Sequence, residues 1–142
     1  MHEDIIITCY KHGNFQQRAS HHIDGSGCPT CKSSKAEKLI GQMLSDANIL
    51  FNREYLFGGC YGFGTVDMPF DFYIHELNLA IEYDGEFHYL PIYGEEGLER
   101  QKFRDSRKDD FCKNKSINLL RIPYWDFKNI EQILLNEVIN HA

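Results

Sequence analysis

The 142 residues contain no apolar run approaching the roughly 20 needed to cross a bilayer, and the opening MHEDIIITCYKHG lacks the basic start and small-residue cleavage site of a secretory signal. A cytoplasmic protein with no membrane partner is expected. Net positive charge is missing too: 15 Lys and Arg face 21 Asp and Glu, a balance of −6 that argues against coating nucleic acid by bulk electrostatics. Basic residues are scarcest in the middle. Residues 41–96 hold Arg53 against ten acids, whereas residues 97–121 hold eight basic and four acidic residues. Any attraction for phosphate must be local to that basic block, whose bland alternative is a solvated helix face.

The hydrophobic fraction of 42% suits one globular domain of this length. The five cysteines are an odd number, and Cys28-Pro29-Thr30-Cys31 has a spacing that in a reducing compartment points to metal rather than disulfides. Residues 5–8 read as a short strand, the next six as a turn, and Phe15 as the start of a second strand, a hairpin carrying Cys9 and His12. The pairs Cys9/His12 and Cys28/Cys31 are therefore candidate ligands of one structural Zn2+, with His21 or His22 as substitutes. Residues 1–32 have few apolar side chains, and zinc binding, worth on the order of 10 kcal/mol, would replace a core there. Buried thiols and a surface histidine are the plainer alternative.

Residues 33–142 read as an α/β unit. Ser33 and Ser34 are candidate N-caps of a helix over residues 34–47, with Ala36, Leu39, Ile40, Met43, Leu44 and Ala47 on one face and Glu37 in its first turn. Residues 49–55, 70–74 and 77–83 read as strands, the last apolar on both faces as in mid-sheet. The glycine-rich stretch 58–64 lacks the strand-to-helix context of a phosphate cradle and reads as a flexible loop. A charged helix over 97–115, a buried strand over 117–122 stopped by Pro123, and a closing amphipathic helix complete the order: helix, three strands, helix, strand, helix.

Acids interrupt these apolar strands. If 70–74 and 77–83 form a hairpin, Asp71 and Glu82 come together at one end, where their repulsion calls for a divalent cation. Asp84 follows, then His88, a candidate base or phosphate donor. The basic helix adds Asp105 and Lys108 on one face, and Arg100, Lys102, Arg104 and Arg107 as candidate nucleic-acid contacts.

Phe70-Asp71-Phe72-Tyr73-Ile74, Ile81-Glu82-Tyr83-Asp84-Gly85-Glu86-Phe87-His88, Asp105-x2-Lys108 and Leu119-Leu120-Arg121-Ile122-Pro123 resemble the PD-(D/E)xK nuclease superfamily. The branch they resemble contains very-short-patch repair endonucleases and phage homing endonucleases with a Glu, Asp, variable, His, Asp signature. The resemblance covers roughly residues 34–142. It implies a restriction-endonuclease-like core, with Glu37, Asp71, Glu82, His88 and Asp105 in the five signature positions. The chain departs from the E-x-K pattern at Asp84, leaving Lys108 or His88 to do the lysine's work. The cysteine-rich start resembles knuckles that accompany phage and mobile-element nucleases, which would place the protein in the host cytoplasm.

The expected activity is Mg2+- or Mn2+-dependent hydrolysis of a DNA phosphodiester, by a monomer or homodimer, with RNA an alternative substrate. Asp71 and Glu82 would hold the cation, His88 assist proton transfer, Asp105 orient it, Glu37 anchor the outer hydration shell and Lys108 offset transition-state charge. Two plainer classes compete: a non-catalytic zinc-dependent nucleic-acid-binding protein, and a structural zinc protein. In those readings Glu37 is a capping acid and Lys108 a surface partner of Asp105.

Overall fold

The computed structural model describes residues 4–9 and 13–18 and the continuous run 29–142. Strands β1 (Asp4–Cys9) and β2 (Gly13–Arg18) pair antiparallel, with Asp4 opposite Arg18 and Cys9 opposite Gly13. This is the expected hairpin. His12, His21, His22 and Cys28 lie outside the described residues, while Cys9 ends β1 and Cys31 lies in the helix that begins at Pro29.

From Pro29 onward the chain is a mixed α/β fold with three helices and a four-stranded mixed sheet. Helix α1 (Pro29–Asp46) starts earlier than the serines suggest. Proline's fixed φ and missing N–H suit a first helical position, so Ser33 and Ser34 lie inside the helix rather than capping it, and Glu37 stands beyond the first turn. Ala36, Ile40 and Leu44, at four-residue spacing, are fully buried. Asn48, at φ 57, ends the helix in a left-handed turn in which the Ile49 amide donates back to the Leu44 carbonyl.

The strands β3 (Asn52–Tyr55), β4 (Phe70–Ile74), β5 (Leu79–Asp84) and β6 (Asn118–Pro123) lie in that order. The first three run antiparallel to their neighbours, and β6 runs parallel to β5. Pairing in β3 begins three residues later than the apolar pattern predicts, because Ile49 and Phe51 join the core beneath α1 before the ladder starts. Between β4 and β5 the chain makes a 3-10 turn, His75–Leu77, closed by Asn78 at φ 47.

A parallel neighbour requires a crossover, which helix α2 (Glu95–Asn114) supplies. After β6 a 3-10 segment, Tyr124–Asn129, leads into helix α3 (Ile130–Glu137). Helices α1 and α3 cover one sheet face, where Ala36, Ile40, Leu44, Phe72, Ile74, Ile81, Tyr83, Ile122, Ile130, Leu134 and Val138 form the main core. Under the end of α2 a smaller cluster gathers Cys60, Met68, Phe70, Tyr73, Ala80 and Cys112. Among the described residues no helix is long and apolar enough to cross a membrane.

Candidate active site

Strand alternation sorts β5 by chemistry. Ile81 and Tyr83 enter the main core, so Glu82 and Asp84 must face the other way, toward α2. Both are buried, at 3% and 2% exposure. Buried acids need partners, and the inward stripe of α2, with Gln101, Asp105 and Lys108 one turn apart, is polar where a helix would ordinarily bring leucines. The charged block is thus partly an internal face, which composition alone does not show.

The registers align a polar row across the sheet. Phe72 faces Ile81, which puts Asp71 beside Glu82, and Glu82 faces Arg121. On the other side of Asp71, Glu54 falls between the pairs Arg53–Phe72 and Tyr55–Phe70. Glu54 holds φ 48, a conformation that non-glycine residues seldom adopt. Glu37, Glu54 and Asp71 each offer a carboxylate oxygen within 4.8 Å of the others. Glu54 is absent from the sequence-based site; the signal available was an acid in the strand next to Asp71.

The Asp71–Glu82 pair is laced to the backbone. The Asp71 amide donates to Glu82 Oε1 at 3.0 Å, and the Tyr83 amide to Asp71 Oδ2 at 2.8 Å. Lys108 Nζ reaches Glu82 Oε1 at 3.1 Å and the Pro69 carbonyl at 2.8 Å. Its partner is therefore Glu82, in a largely buried pair, and not Asp105 on the surface. Burial, joined by the charge of Glu37, pushes the Asp71 carboxyl up to about 7 against the pull of the Tyr83 amide. Burial, then the charge of Asp71, does the same to Glu82, to about 7, despite Lys108. Burial also raises Glu37, although its side-chain hydrogen bond with Asp71 acts the other way.

A second polar group lies beside the first. His88, on the 3-10 turn Glu86–His88 and 7% exposed, has Nδ1 2.8 Å from Asp105 Oδ2 and 3.5 Å from Asp84 Oδ1. Gln101 donates to the other Asp105 oxygen at 3.0 Å. Burial works to raise the Asp105 carboxyl, but the hydrogen bond and charge of His88, with Gln101 and Arg121, outweigh it and hold it below the usual carboxylate range. An ionised Asp105 accepts from Nδ1–H, which leaves Nε2 of a neutral ring as the proton acceptor.

Arg121 ties this group to the sheet. Its Nη1 donates to both Asp84 oxygens at 2.9 and 3.0 Å, Nε to Asp109 Oδ1 at 2.8 Å and Nη2 to the Asp105 carbonyl at 3.1 Å. Asp84 thus anchors an arginine at the place where an E-x-K motif would carry its lysine. Gly85 follows because a Cβ there would lie 2.6 Å from Ser33 Oγ. That close approach brings α1, from the other layer, against the end of β5.

These elements enclose a cavity of about 470 Å3 where β5 finishes and β4 begins. Glu37, Asp71, Glu82, His88 and Lys108 all line it, and Asp105 stands behind His88. All six expected site residues are therefore in one place. Arg104 reaches its rim, while Arg100, Lys102 and Arg107 do not line it. The 58–64 loop, with residues 66–69 after it, supplies a wall through Gly62, Phe63 and Met68. Such a site can hold a hard cation on oxygens, relay a proton through His88 and present one ammonium.

A protein of Invertebrate iridescent virus 6 called Uncharacterized protein 307L is 30% identical to this chain over 79 residues. The match takes in 53% of this chain and 40% of the viral protein, so it spans well under half of that relative. No protein-family model matches the chain, and no solved structure matches it.

Proposed function

We propose that the chain is a metal-dependent nuclease that hydrolyses DNA phosphodiester bonds on a PD-(D/E)xK-like core. The observation carrying this reading is the convergence of Glu37, Asp71, Glu82, His88 and Lys108 on one cavity, with Asp105 bonded to His88. The order helix, three strands, helix, strand, helix agrees with it.

The donor set fits Mg2+ or Mn2+. It consists of carboxylates, two of them raised to about 7 by burial and by neighbouring carboxylate charge, an upward shift that a divalent charge would reverse. Asp71, Glu37 and Glu54 would hold the ion, with Glu82 sharing its charge between ion and Lys108. A bound divalent cation would supply Lewis-acid stabilisation of the scissile phosphate. The chain's own groups do the rest. His88 Nε2 takes or returns a proton, Asp105 and Gln101 keep its ring in one tautomer, and Lys108 places a positive charge beside Glu82 where phosphate charge grows. Cys9, His12, Cys28 and Cys31 are the proposed ligands of a separate structural Zn2+.

Supercoiled plasmid incubated with the purified protein and Mg2+ or Mn2+ tests this. Nicked or linear product from wild type and none from Asp71→Ala is the expected result. DNA binding that survives Asp71→Ala, with no cleavage by either protein under either metal, would favour the non-catalytic binding module instead.

A further inference from the structure

The cavity does not end at its rim. A neighbouring hollow of about 360 Å3 shares Phe87, Gln101 and Arg104 with it and adds Arg100, Tyr93, Gly97 and one acid, Glu96. On α2, Arg100, Arg104 and Arg107 fall on one stripe with Phe103, while Lys102 lies on the opposite flank at 100° per residue. Phe103 stacks on Phe63 of the loop wall, their centroids 4.7 Å apart and planes 28° apart. Arg104 lies over Phe63 at 5.3 Å and Arg107 over Phe103 at 5.8 Å. Both rings face water, at 51% and 41% exposure, and Tyr93 is 51% exposed.

We infer that the site continues as a groove along α2 that binds an unpaired polynucleotide strand, with phosphates on Arg100 and Arg104 and a base extending the Phe63–Phe103 stack. This rests on reading the acidic cavity as a phosphodiester site. Aromatic rings interleaved with arginines form the general platform for unpaired bases, because every base has a stacking face and every phosphate a charge. Size points the same way. Glu82 lies at 3% exposure in a cavity of about 470 Å3, the scale of a single small-molecule ligand, which suits one nucleotide of an unpaired strand better than a base pair. The net charge of −6 restricts the attraction to this stripe.

The test is fluorescence anisotropy on the full chain with no divalent cation added, using labelled oligothymidylate, its RNA counterpart and the matching duplexes. The single strands should bind at least about tenfold tighter than the duplexes. Phe103→Leu, which keeps an apolar side chain on an exposed helix position, should weaken single-strand binding roughly 5- to 100-fold at unchanged helix signal. Arg104→Gln should lower the slope of log affinity against log salt by about 0.7, one phosphate's worth. Equal or tighter binding of duplex, or full affinity in Phe103→Leu, overturns the groove. Wild-type protein that nicks plasmid yet prefers duplex would overturn it while the nuclease reading stands. Single-strand preference without cleavage under any metal would sustain the groove and sink hydrolysis.

Discussion

Replacing Asp71 by Asn should make the protein more stable at about pH 8 in the absence of a divalent cation, although it deletes a group central to the site. Asp71 moves from an ordinary 3.8 to about 7 on folding and Glu82 from 4.5 to about 7. Between those limits the folded chain binds more protons than the unfolded chain, so stability falls as pH rises from about 4 to about 7. At ~1.4 kcal/mol per pH unit the Asp71 shift corresponds to roughly 4 kcal/mol. Burial is the first cause of both shifts, and the charge of Asp71 adds to that of Glu82, so the two are not independent and about 4 kcal/mol is the scale for the pair rather than for each. Asn keeps an oxygen for the Tyr83 amide while removing the charge. Urea unfolding at about pH 5 and about pH 8 should show wild type losing stability across the interval and Asp71→Asn losing much less. Adding Mg2+ or Mn2+ at about pH 8 should restore wild type and leave the variant unmoved. Parallel curves for the two proteins, or a cation that stabilises both equally, would show that the Asp71 charge does not carry this pH dependence.

Three further outcomes follow from the same geometry. His88→Gln and Asp105→Asn should each cut the cleavage rate by roughly 10²- to 10⁴-fold, and the double variant should be no worse than His88→Gln, as single-turnover rates on plasmid would show. Lys108→Met should lower the rate by roughly 10²- to 10³-fold and raise the pH at which Glu82 ionises, seen as a cation affinity that needs higher pH to appear. Arg121→Met leaves Asp84 buried without its cation and should cost about 3 to 5 kcal/mol in urea unfolding, with Asp84→Asn combined with it recovering part of the loss.

The acids on β4 and β5 are legible in the sequence because a carboxylate inside a run such as Leu79-Ala80-Ile81-Glu82-Tyr83-Asp84 has no ordinary reason to be there. Alternation then sends Ile81 and Tyr83 to one layer and Glu82 and Asp84 to the other, which is what the fold does. Glu54 escapes that logic. It sits at a left-handed backbone position inside a strand, and only the β3–β4 register brings it to Asp71. Arg121 escapes it too, because a strand reading of Leu119-Leu120-Arg121-Ile122-Pro123 says nothing of partners on β5 and α2. The first helix begins ahead of the serines for a local reason: serines favour caps, but Pro29 already offers a first-turn residue four positions before Ser33. The charged α2 is the least legible element, since the pattern that marks a solvated helix also describes one whose inner face packs on acids.

Anomalous diffraction from a crystal of the full chain soaked in Mn2+ would locate the cation itself. One peak bounded by the carboxylates of Glu37, Glu54 and Asp71, with Glu82 and Lys108 beside it, is expected, and its loss in Asp71→Asn. A well-ordered soaked crystal with Mn2+ bound elsewhere and none among those carboxylates would contradict this placement of the ion.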